Sequence, residues 1–196
     1  MSMEHKAFLF DTKLYHEQIE SIIQECCKTK DCSSVKKYID EHYAQLFCPY
    51  TGEPLEDDWE EEMSSGSMQE LFDFLLTACY EPDKDLGLEY AWDGVLEAIK
   101  ELDFLQDAQE CVLGNPLVYF QVKVDPGLMG LGIVEYTRIS LIKEQLIKHQ
   151  EQLEEVELSK DVLYELDEEE LIDAYDDLCN IYKRAEKEGK GILFTF

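Results

Sequence analysis

Six carboxylates crowd around one tryptophan between Leu55 and Ser67: Glu56, Asp57, Asp58, Glu60, Glu61 and Glu62 flank Trp59. So dense a run of oxygen ligands suits a plain solvated acidic loop or one of two chemistries. One is coordination of a hard cation. The spacing argues against it, because a calcium loop sets its acids as Asp-x-Asp-x-Asp-Gly and this run does not. The other is recognition of a basic surface, with the carboxylates supplying the field and Trp59 the contact area. A second acidic set, Glu169, Asp173, Asp176 and Asp177, recurs near the C-terminus. These eleven residues are the candidate partner-binding positions. Trp59 carries a counter-expectation, since an indole is costly to leave in water. It is expected to pin the loop to the body.

Other chemistry finds little support. The seven cysteines include Cys26, Cys27, Cys32 and Cys48, with His42 nearby. Zinc sites need tightly paired ligands, and these spacings lack them, so Cys26 reads as a core thiol. The four histidines, His5, His16, His42 and His149, stand beside no glycine-flanked serine, and Gly-x-Ser-x-Gly is absent. Gly127, Gly130 and Gly132 do not make a phosphate-cradling loop and read as hairpin glycines. Carboxylates are so abundant that choosing two as an acid–base pair would be arbitrary. The sequence therefore assigns no catalytic residue, no metal ligand and no cofactor.

The elements that must position the acids are clearer. Asp167 and Glu170 form a capping box, and Leu171, Ile172, Tyr175, Leu178, Cys179 and Tyr182 make one helical stripe over 167–188. Gly189 stops that helix, and Gly191–Phe196 reads as a closing strand. Upstream, helices are expected over 12–28 and 34–47 as a hairpin. A central helix follows, capped by Ser67 with Glu70 as its box partner, and then a helix carrying Leu88, Trp92, Val95 and Ile99. Ala7–Phe10 reads as a short strand. Leu117–Val124 alternates as a strand with one face buried, Ile133–Tyr136 is its partner, and a helix covers 140–155, with a short link over 156–164. The order predicts an α+β fold, mostly helical, with a small mixed or antiparallel sheet formed by the central hairpin and the C-terminal strand. The chain reads as a single domain over 1–196. The helical hairpin of 1–50 and the acidic loop of 51–67 are taken as additions to a 68–196 core.

Three stretches resemble a known family. Leu88-Glu89-Tyr90-Ala91-Trp92, Gly132-Ile133-Val134-Glu135-Tyr136-Thr137 and the helix end Ile181–Gly189 follow the order and spacing of the YfbM-like family of uncharacterised bacterial proteins. The resemblance covers about Gly87 to Phe196. It departs from the family where Asp93–Ile99 lack its histidine and where Glu135 replaces its arginine. It implies a compact α+β bacterial domain and no activity.

Charge narrows the function. The formal net charge is -28, with 17 Lys and Arg against 45 Asp and Glu, most of the excess lying after residue 50. Such a surface repels phosphate, which argues against nucleic acid and anionic membranes as partners. No apolar stretch reaches transmembrane length or follows the first residues as a signal segment would. Unpaired-looking cysteines suit a reducing, cytoplasmic setting. The expectation is a non-enzymatic interaction protein with a basic protein partner, of immunity-like or antitoxin-like kind. The alternatives are an enzyme with a small-molecule pocket and a domain of unknown role.

Overall fold

Local signals place most of the elements. The computed structural model describes residues 3–156 and 162–196, with backbone only at 154 and 155. Strand β1 (Lys6–Phe10) comes first. Asp11 then accepts the Leu14 amide at 2.9 Å and starts α1 (Thr12–Leu14), which runs through a π-helical stretch, Tyr15–Ile19, into α2 (Glu20–Thr29). Lys30, at φ 63°, closes it, and α3 (Ser33–His42) follows. The central helix is α4 (Met68–Leu76), and α5 (Trp92–Glu101) and α6 (Ala108–Leu113) come next. Four short strands succeed them: β2 (Asn115–Pro116), β3 (Val118–Tyr119), β4 (Val122–Lys123) and β5 (Leu131–Val134). Helix α7 (Tyr136–His149) tightens into a 3-10 stretch, Gln150–Glu155. The long helix is α8 (Glu168–Glu188), with both halves of its capping box formed between Asp167 and Glu170 and with Gly189 left-handed at φ 67°. Strand β6 (Gly191–Thr195) ends the set.

The fold is α+β and mostly helical, around a four-stranded antiparallel sheet of order β1-β6-β5-β2. Lys6 faces Thr195 and Phe10 faces Gly191 across β1 and β6. Ala7, Val134, Ile192 and Phe194 point into a core made with α5 to α8. Phe8, Phe10, Leu131, Ile133 and Leu193 point the other way, into a core made with α2, α3, α4 and Trp59. Successive strand residues face opposite sides, so the sheet is a middle layer with helices on both faces. Residues 1–50 thus supply one strand and much of one helical layer; they are built into the sheet rather than added to a 68–196 core. Among the described residues no helix is long and apolar enough to cross a membrane.

The central strand expected over 117–124 is replaced by a tight hairpin outside the main sheet. Val118 pairs with Lys123 and Tyr119 with Val122. Phe120 and Gln121 sit between them at φ 49° and 67°, the left-handed pair that a two-residue type I′ turn needs. The apolar alternation misled because Val118 and Phe120 are exposed, while Val124 alone of that series is fully buried. Strand β5 begins two residues earlier than expected, and Glu135 is already the N-cap of α7. Gly132 lies inside β5 instead of in a loose connection. A β-carbon there would stand 2.1 Å from the Leu113 carbonyl oxygen, so only glycine lets α6 approach the sheet. Much of the link expected over 156–164 lies outside the described residues.

Candidate functional site

The acidic loop is anchored by its tryptophan. Trp59 is buried in the core beside α4, and its indole Nε1 donates to Asp40 Oδ1 at 3.0 Å. It is therefore removed from the surface a partner would meet, which corrects its place among the contact residues. Glu56, Asp57, Asp58, Glu60, Glu61 and Glu62 are exposed around it. Only Glu60 of these meets a cation among the described residues, Lys36 at 2.7 Å. No three His, Cys, Asp or Glu side chains among the described residues are placed to share a metal ion.

The second acidic set lies in the opposite helical layer, on α8, so the eleven positions do not form one surface. Asp176 is half-buried and accepts Gln150 Nε2 at 2.5 Å, which occupies it internally. Asp173 and Asp177 are exposed and line a groove of about 440 Å³ between α8 and the segment Gly87–Ala91. Glu89 and Glu170 line it too, with Tyr90 beside them, and among the described residues no lysine or arginine does. The Tyr90 ring packs on Tyr164 with centroids 5.2 Å apart. Glu89, left-handed at φ 50°, lines the groove although nothing in its sequence context singles it out as a contact residue.

Histidine shapes that segment from inside. His5 is fully buried. Its Nε2–H donates to the Val112 carbonyl at 2.8 Å, and its Nδ1 accepts the Leu88 amide at 3.2 Å. Burial lowers the imidazole pKa to about 4, against smaller opposing effects of the Val112 hydrogen bond and Asp85, so the ring is neutral near pH 7. His5 and Glu89 also exchange backbone hydrogen bonds. The other histidines serve packing and bridging. His42 stacks on Tyr38, and His149 packs on Phe104. His16 reaches Glu20 through Nδ1 at 2.8 Å and both Glu135 oxygens through Nε2 at 3.1 Å. The Glu20 hydrogen bond, and then that of Glu135, raise its pKa. This links the π-helical stretch to the start of α7. Among the described residues no histidine ring hydrogen-bonds a serine or cysteine.

A second concavity was not foreseen. A cavity of about 410 Å³ opens on the sheet face that carries Lys6, Phe8, Leu131 and Leu193. Asp73 of α4, Tyr80 just beyond it and Tyr50 reach its wall. Neighbouring Glu70 is committed elsewhere: its carboxylate accepts the amides of Ser64, Ser65 and Gly66, the hydroxyls of both serines, and Tyr50. Burial alone would raise its pKa, but the Ser65 and Ser64 hydrogen bonds outweigh that and hold it at about 2. The expected capping box at Ser67 is thus half-formed. The Ser67 hydroxyl accepts the Glu70 amide, and the Glu70 side chain closes the preceding loop. Asp73 behaves oppositely. Burial first, then the charge of Glu70, raise its pKa to about 7. Neither Asp73 nor the Tyr80 hydroxyl has a hydrogen-bond partner or cation among the described residues.

The α2–α3 turn holds a third grouping. Cys26 and Cys32 bring their sulfurs to 2.8 Å, with Cys26 buried and Cys32 half-exposed. Burial, then the contact with Cys32, raise the Cys26 thiol to about 12, so attack must begin at Cys32. Dilute hydrogen peroxide should convert these two thiols to a disulfide, the peroxide being reduced to water, before it reaches the other cysteines. Peptide mapping by mass spectrometry checks this, and a Cys32 sulfinate in place of the crosslink would refute it.

No family model, curated protein or solved structure matches this chain.

Proposed function

We infer that the protein is a non-enzymatic binder of a basic protein, acting through the acidic groove beside α8. One observation carries this reading: four carboxylates, from Glu89, Glu170, Asp173 and Asp177, line a single groove with a tyrosine and, among the described residues, without a lysine or arginine. A lysine or arginine side chain of a partner would gain the field of those acids and a tyrosine surface to lie on. The net charge of -28 would hasten its capture, and the same charge disfavours nucleic acid. An inhibitor that covers a cationic partner, as immunity proteins and antitoxins do, is the concrete form of this proposal. Seven free thiols suit a reducing, cytoplasmic setting. The resemblance to YfbM-like proteins over the C-terminal half adds a bacterial origin to the proposal and no activity.

The loop acids 56–62 lie in the other layer and serve as the control. Binding of an arginine-rich peptide, measured by calorimetry at low salt, should weaken about tenfold in Asp173→Asn/Asp177→Asn. It should weaken less in Glu61→Gln/Glu62→Gln, although both variants lose equal charge. Equal losses in the two variants would show long-range attraction only and would remove the groove from the proposal. A protein retained from lysate by the wild-type chain should likewise be lost with the groove variant.

A further inference from the structure

The Asp73 cavity stands apart from the acidic groove and asks for a different occupant. Its wall combines one carboxyl, two tyrosines and apolar side chains, Phe8 and Leu193 among them. Phe8 and Tyr80 pack at 4.9 Å between centroids, so part of the wall is aromatic. Asp73 is half-buried, and neither it nor the Tyr80 hydroxyl has a protein hydrogen-bond partner among the described residues. The cavity wall thus carries a carboxyl and a hydroxyl that are open to it and free to meet a ligand.

We propose that this cavity is a binding site for a small organic cation, an alkyl- or arylammonium, whose ammonium group pairs with Asp73 while its carbon body lies against the aromatic and aliphatic wall. Charge sets the sign of the ligand. Glu70 adds a second negative charge beside Asp73, and the whole chain repels anions. Size and polarity set its class, since a wall that is about half polar and half ring and hydrocarbon, around one carboxyl, suits a compact amphiphilic amine. The groups facing Asp73 are Glu70 from its own helix, Tyr50 from the preceding loop, Tyr80 from the turn after α4, and Lys6 on the rim from β1. Lys6 lines the cavity without an ion pair to Asp73, so a ligand ammonium, not Lys6, is the group that would neutralise the carboxylate.

Binding has a proton signature. The protonated Asp73 carboxyl and a ligand ammonium become a carboxylate–ammonium pair, and the released proton passes to buffer. Affinity for an amine should therefore rise as pH rises from about 5 to 8, with about one proton released per ligand at the acidic end.

The test uses the full chain and phenethylammonium, with 2-phenylethanol as its neutral isostere and phenylacetate as the anion. Calorimetry in two buffers of different ionisation enthalpy reads affinity and proton release together. The ammonium should bind at least about tenfold tighter than the alcohol and phenylacetate should not bind. Asp73→Asn should lose at least about tenfold in affinity, and Lys6→Gln should tighten binding. Asp73→Asn is expected to be more stable than the wild-type chain, so its loss of binding cannot be laid to unfolding. Equal binding of ammonium and alcohol, unchanged affinity in Asp73→Asn, or weakening in Lys6→Gln would each overturn the proposal. Amine binding that is equal in both chains and vanishes in moderate salt would mark adsorption to the acidic surface, and also overturns it. The groove variant Asp173→Asn/Asp177→Asn should bind phenethylammonium like the wild type, which keeps this outcome separate from the fate of the protein-binding reading.

Discussion

Replacing Glu70 with alanine is expected to cost about 2–4 kcal/mol of stability near neutral pH, read from urea unfolding. The carboxylate closes the acidic loop by accepting six hydrogen bonds, three from backbone amides and three from hydroxyls, with Gly66 N at 2.7 Å and Ser64 N at 2.6 Å. Each charge-assisted bond to a buried carboxylate contributes more than a neutral one. Ser64, Ser65 and Gly66 are exposed, so water can rehydrate their donors, and the loss stays well below the sum of six bonds. The sign with pH follows from the depressed pKa. A carboxyl held at about 2 when folded, against an ordinary 4.5, stabilises fully above about pH 4.5 and loses that contribution as pH falls toward 2. The gap between wild type and Glu70→Ala should therefore narrow below about pH 4. A gap under 1 kcal/mol at neutral pH would mean that the loop is held by Trp59 and not by Glu70.

Replacing Asp73 with asparagine is expected to stabilise the folded chain, and only at high pH. The folded carboxyl, raised from 3.8 to about 7, resists ionisation that the unfolded chain accepts readily. Its contribution is thus best below about pH 4 and is lost as pH rises through about 7. The full shift corresponds to about 4 kcal/mol, and partial water access to the cavity reduces it, so a gain of about 2–4 kcal/mol near pH 8 is expected. Near pH 4 the two chains should be equally stable. His5 acts in the other direction over part of the same range. Its pKa, lowered from 6.5 to about 4, makes stability rise as pH climbs between those values. In the wild-type chain the two slopes oppose each other and flatten the profile. In Asp73→Asn the His5 slope is no longer opposed by Asp73, and stability should rise from about pH 4 to 6.5. Parallel profiles for the two chains would show that Asp73 ionises freely and that the cavity is open to solvent.

These two carboxyls, three residues apart on α4, show where reading the sequence stops. Glu70 was recognised as a capping partner because Ser67 lies three residues before it. Its hydroxyl contact is local and forms as expected, but the side chain serves the loop behind the cap instead. Nothing adjacent in sequence marks Asp73 as unusual. Its environment is supplied by Tyr50, Tyr80 and the sheet, which only folding brings together. Trp59 was legible, since a large indole among acids has strong reason to be buried. The strand over 117–124 was misread because alternation reports one buried face, and the exposed Val118 and Phe120 alternate without burying any.

The sequence by itself determined most of the helices, the ends of α8, the terminal strand and the strongly acidic surface, but not α6 or the start of α7 at Tyr136. Helical periodicity, capping and glycine termination act within a few residues, and charge is a sum over composition. Tertiary structure alone decided the rest. It paired β6 with β1 as well as with the expected partner β5, and left the β3–β4 hairpin outside the sheet, because strand partners are chosen by burial on both faces of the sheet and not by nearness along the chain. It separated two acidic sets that composition presented as one, by placing them in opposite helical layers. It also set His5 and Asp73 in surroundings that move their protons in opposite directions, because desolvation depends on which elements close over a side chain.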